Sequence, residues 1–170
     1  MIIPASVKTI GTAGSQSFHS NQNLKTVYHF GTSETGATEG LVDVSTLLPV
    51  LTSDTDKAKA FAEWFNRARA MTALKLPESV DGYSIVLGGN FLMEAKNLTA
   101  IYVGDTLVSK DNDSVQCKRE LDLSGTSYSI LFDGTTIKTM NGVVPFGKIT
   151  QSNGDVWTRA NTWTTAWTKQ

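Results

Sequence analysis

The sequence predicts an α+β domain, mainly antiparallel β, built as a sandwich or barrel-like meander with one long amphipathic helix. Three observations lead there. One stretch, Ser53 to Pro77, carries apolar residues at helical spacing. The apolar runs after it are short and punctuated by Asp-Gly and Asn-Gly pairs, at Asp81-Gly82, Asp133-Gly134, Asn141-Gly142 and Asn153-Gly154. Those pairs suit two-residue hairpins, whose central positions need positive φ. Finally, Val115, Cys117, Leu121 and Leu123 alternate with Gln116, Lys118, Glu120 and Asp122, the period of a half-buried strand.

At 170 residues the chain is long enough to bury a sizeable core as one domain. The expected organisation is an extended arm over residues 1–22 and a single β-rich domain over 23–170. Within that domain a helix is expected over 54–76 and Trp-rich strands over 155–169. The arm begins with Ile2 and Ile3 before Pro4 and continues into a small polar run from Gly11 to Ser17. Leu24 to Phe30 has strand propensity. Residues 31–40, rich in Gly, Thr and Glu, read as a long loop. Leu41 to Leu51 reads as β, with Pro49 marking its end.

The helix is argued residue by residue. Ser53 or Asp54 is placed to cap its first turn, and Asp54 and Asp56 set negative charge at the positive end of its dipole. Between Thr55 and Leu76 there is neither Gly nor Pro, and alanines recur. Phe61, Trp64, Phe65, Ala68 and Met71 form the expected core face, with Lys57, Lys59, Glu63, Asn66 and Arg67 largely opposite. Pro77 ends the run, because the residue before proline is pushed out of the α region.

Beyond the helix the reading is strands and turns. Tyr83 to Leu87 forms a short strand, and Phe91, Leu92 and Met93 fit either a turn of helix or an edge. Leu98 to Val103 is a strand that turns at Gly104-Asp105. Asp111, Asn112 and Asp113 read as a solvated turn, since the glycine and bidentate glutamate of a calcium loop are missing. Arg119 interrupts the apolar face of its strand and calls for either an edge position or a carboxylate partner. Repeated hairpin turns point to an antiparallel meander rather than βαβ units.

Composition narrows the function. Charged residues are only 18% and the formal net charge is -1. No Lys/Arg block offers phosphates a partner, so no nucleic-acid role is expected. No apolar run approaches membrane-spanning length. The single cysteine, Cys117, rules out an internal disulfide framework and reads as a buried small hydrophobe. His19 and His29, the only histidines, lack metal-ligand spacing. No nucleophile elbow, Walker loop, dinucleotide fingerprint or HExxH motif occurs. The expectation is a non-enzymatic protein without cofactor or metal.

The chain closes on GDVWTRANTWTTAWTKQ, in which Trp157, Trp163 and Trp167 are each followed by Thr. In extended backbone Trp163 and Trp167 share a face, and Arg159 lies close to Trp157. These four residues form the candidate interface or glycan-binding set. Together with Asn141-Gly142-Val143-Val144, the unit Asn153-Gly154-Asp155-Val156-Trp157-Thr158 resembles the C-terminal strand units of phage tail-fibre, tail-tip and minor tail proteins. That resemblance implies a virion structural protein of a bacteriophage tail, made in the host cytoplasm and released by lysis. It implies a symmetric homo-oligomer, trimer or hexamer, contacting other tail proteins, with host-receptor contact as an added role. The alternative reading is a carbohydrate-binding module whose exposed C-terminal tryptophans stack on a host-surface glycan.

Overall fold

The computed structural model describes residues 1–8, 11–12, 18–29, 38–47, 51–52, 58–60, 64–77, 84–86, 92, 94–113, 118–126, 146–160 and 166–170. Short strands dominate them. In chain order these are β1 (Ile2–Ile3), β2 (Gly11–Thr12), β3 (Tyr28–His29), β4 (Leu41–Asp43) and β5 (Leu51–Thr52). Then come β6 (Ala58–Ala60), β7 (Ala73–Leu76), β8 (Ser84–Val86), β9 (Ala100–Val103) and β10 (Thr106–Leu107). The last are β11 (Ser109–Asp113), β12 (Lys118–Asp122), β13 (Phe146–Thr150), β14 (Val156–Arg159) and β15 (Thr168–Lys169). A single 3-10 turn, Val44–Thr46, follows β4, and no α-helix occurs among the described residues.

The expected helix over 54–76 is therefore overturned. Its span holds β6, a pair of turns over 64–70 and β7. The periodicity that suggested it has a different origin. Phe65, Ala68, Met71 and Leu74 are all fully buried and recur at intervals of three. Two successive turns produce that spacing: the Ala68 amide donates to the Phe65 carbonyl at 3.0 Å, and the Met71 amide to the Ala68 carbonyl at 3.2 Å. Arg67 is the third residue of the first turn at φ +63°, which breaks any helical continuation. The chain then extends into β7, where Leu74 and Leu76 face inward on a period of two.

The same unit occurs three times. Phe18 to Val27, Phe65 to Leu74 and Leu92 to Ile101 are each ten residues long and run turn, turn, strand. Asn21 and Leu24 donate to the carbonyls of Phe18 and Asn21, and Ala95 and Leu98 to those of Leu92 and Ala95, as in the middle copy. Ser20 and Glu94 take φ of +59° and +61°, matching Arg67. Phe18 and Phe65, equivalent in the unit, stack with ring centroids 5.5 Å apart and planes 1° apart.

These units lie side by side as parallel coils. β4 pairs with β7 and β7 with β9, both parallel, so Val42, Leu74 and Ile101 fall in one row, which Val27 joins by a bridge to Val42. A second inward row holds Leu76 and Val103. Behind each turn, β6 and β8 also pair in parallel, as do β2 and β5. The expected antiparallel meander thus gives way to parallel stacking through the first two-thirds of the chain. Repeat architectures of this kind bury a core only because each coil covers its neighbour.

After Val103 the direction reverses at Gly104-Asp105, and β10 returns antiparallel to β9. A five-stranded sheet ordered β11-β12-β13-β14-β15 follows, antiparallel except for β12 with β13. Asp111, Asn112 and Asp113, expected as a turn, extend β11 and pair with Glu120, Arg119 and Lys118. The Val108 amide donates to the Ile101 carbonyl and the Asp122 amide to the Val108 carbonyl, so the core rows continue into Leu121 and Ile149. One cluster of buried residues spans both sheets.

Residues 1–22 are expected as an extended arm, either flexible or added to a sheet edge, and the described ones among them lie against the rest of the chain. β1 pairs with β3, Ile3 and Phe18 join the core, and the buried His29 bonds the Val7 carbonyl through Nε2 at 2.8 Å. His29 occupies the inward position that Leu76 and Val103 fill in the later units, and the Val7 carbonyl supplies the partner a buried imidazole requires. Expectations placed on residues 31–37, 48–50, 53–57, 61–63, 78–83, 87–91, Met93, 114–117, 127–145 and 161–165, and on the side chain of Arg119, lie outside what the structure describes.

Candidate recognition ridge

The structure separates the residues proposed from sequence. Trp167 is buried in the core at 3% exposure, and half-buried Trp157 packs against the same cluster, aligned between Ile149 and Lys169 in the sheet. Arg159 is half-buried on β14 with Gly147 as its register partner. Trp157 and Trp167 therefore serve one interior rather than one exposed aromatic face. Trp64, Phe65, Ala68 and Met71 are fully buried on turns, not on a helix.

What sequence reasoning passed over is the row of turns. Stacking brings the three copies edge to edge: the Ser20 amide donates to the Asn66 carbonyl at 2.9 Å, and the Ala70 amide to the Gln22 carbonyl at 3.1 Å. The buried side of each turn is mainly apolar, with Asn66 a buried exception at 3% exposure, and the other polar residues of the turns are exposed or half-buried. A chain of side-chain contacts crosses the coils. Arg69 donates through Nη1 to Gln22 Oε1 at 3.2 Å and through Nη2 to Glu94 Oε2 at 2.5 Å. Arg67 Nε stands 3.5 Å from Glu94 Oε1. Glu94 thus serves two guanidinium groups, and the Arg69 hydrogen bond is the main cause holding its carboxyl below the ordinary range.

Beside the first turn lies an open cleft of about 320 Å³ of mixed lining, Met1 and Leu24 together with Asn21, Asn23, Lys25, Thr26 and Glu39. Lys25 and Lys96 are exposed and form no ion pair among the described residues. The signal that finds this ridge is self-similarity within the chain: FHSNQNLKTV, FNRARAMTAL and LMEAKNLTAI, the last two 27 residues apart.

Among the described residues no three His, Cys, Asp or Glu side chains cluster to hold a metal ion. The carboxyls of Glu94, Asp105, Asp122 and Asp155 are all lowered, each chiefly by a hydrogen bond from a cationic side chain. Lowered, paired carboxylates are what structural ion pairs produce; a general acid working near neutrality needs the opposite shift. No family model, curated protein or solved structure matches this chain significantly.

Proposed function

We propose that this chain is a non-enzymatic structural and recognition protein of a phage tail, assembling as a symmetric homo-oligomer and presenting its turn ridge outward. The observation that carries the scaffold half of this reading is the stacking of equivalent coils in parallel register. Such stacking gives a rigid, extended surface whose outer positions vary freely while the inner rows keep the core. Edge strands support assembly. β10 and β15 each end a sheet, all four of their residues are exposed, and Leu107 is 53% exposed on β10. Unpaired strand borders are natural joints between copies. The tail setting rests on the likeness of the C-terminal Asn-Gly and Trp-Thr units to tail proteins. Glycan stacking on the C-terminal tryptophans has less support, since Trp167 is buried and Trp157 packs on the core.

Light scattering on the purified chain tests assembly. A trimer or hexamer that persists on dilution is the expected result, and a monomer at every concentration up to the solubility limit contradicts it.

A further inference from the structure

We infer that the turn ridge binds an acidic polysaccharide, its anionic groups held by Lys25, Arg67, Arg69 and Lys96. This rests on the recognition half of the reading above and is independent of assembly, which light scattering reports separately.

Charge is the first argument. The ridge and its cleft set four cations against two carboxylates, Glu94 and Glu39, on a chain whose formal net charge is -1. Because Arg67 and Arg69 share Glu94, neutralisation there is incomplete, and Lys25 and Lys96 lie to either side on the outer coils. Positive charge is concentrated where the turns stack, against the balance of the molecule.

The second argument is the kind of donors present. Asn21, Asn23 and Asn97 are exposed among the cations, and Gln22 already bonds Arg69. Amides offer donor and acceptor together, which suits sugar hydroxyls, while guanidinium and ammonium groups suit carboxylate or sulfate. The Ser20 and Ala70 amides bond the first and second turns directly, and Arg69 reaches Glu94 on the third, so their side chains form a row matched to a polymer rather than to a single small anion. The backbone bonds between turns hold that row in place before any ligand arrives, which lowers the ordering cost of binding.

The third argument separates a glycan from a nucleic acid. Phe18, Trp64 and Phe65 all point into the core, so among the described turns only the partly exposed His19 imidazole is left as a ring on which bases could stack.

Calorimetric titration of the full chain tests the proposal with four probes: an oligogalacturonide, a heparin oligosaccharide, a neutral dextran oligosaccharide and single-stranded DNA of matched charge. The expected result is binding of at least one of the two acidic sugars, weakened by salt. Which of them binds more tightly tells carboxylate from sulfate recognition. The Lys25→Ala/Lys96→Ala variant, with both changes at exposed positions that form no ion pair among the described residues, should keep its Tm and bind about tenfold more weakly. The proposal is overturned if neither acidic sugar binds at millimolar concentration, if the variant binds like the parent, or if dextran or DNA binds as tightly as the acidic sugars.

Discussion

At φ +83° Gly40 passes between two coils with its amide bonded to Thr26 Oγ1 at 3.0 Å and its carbonyl accepting from Thr72 Oγ1 at 3.1 Å. A Cβ there would meet Thr72 Oγ1 at 2.7 Å, in a backbone region that L side chains avoid. Gly40→Ala should therefore destabilise the protein by about 1–3 kcal/mol, read by chemical denaturation; an unchanged midpoint would show that the two coils do not close on this residue. Asp122 makes a second prediction at this scale. A hydrogen bond from Lys110, then those from the Ser124 hydroxyl and amide, lower its carboxyl from 3.8 to about 2. The unfolded chain then binds the proton more readily, so the stability from this site is complete above about pH 4 and fades as pH falls toward 2. Screening by solvent at a side chain 23% exposed keeps the contribution to about 1 kcal/mol. Lys110→Ala should flatten that part of the acid unfolding curve, and an unaltered curve would remove Lys110 from the explanation.

Within a single unit, the turn pair and its strand explain both what the sequence disclosed and what it concealed. Burial was legible: Trp64, Phe65, Ala68 and Met71 carry their apolar character openly, as do the inward positions Leu121 and Leu123 of the alternating run. Conformation was not legible, because intervals of three suit two core-facing turns as well as one helical face. Positive φ at Arg67 decides between them, and arginine carries no local mark of that backbone region in the way glycine does. The paired strands were hidden for another reason: parallel partners such as β7 and β9 lie far apart in sequence with no hairpin turn to announce them. Phe65 links the levels, stacked on Phe18 and edge-on to Trp64 at 6.2 Å. Phe65→Ala should cost about 3–5 kcal/mol. A loss below about 1 kcal/mol would mean that the two aromatic turns are not packed on each other.

Across the whole molecule, one apolar interior runs from the first coil to Trp167, while the direction of pairing changes from parallel to largely antiparallel along it. That change places the repeated turns together on the early coils, while Trp167 joins the core and the half-buried Trp157 packs against it at the other end. NMR of the labelled protein addresses the point on which this arrangement depends. It should show cross-strand proton contacts joining Ala73–Leu76 to Ala100–Val103 in parallel register. An unbroken series of helical contacts from residue 58 to residue 76, with no signal between those two strands, would contradict the stacked coils and the ridge built on them.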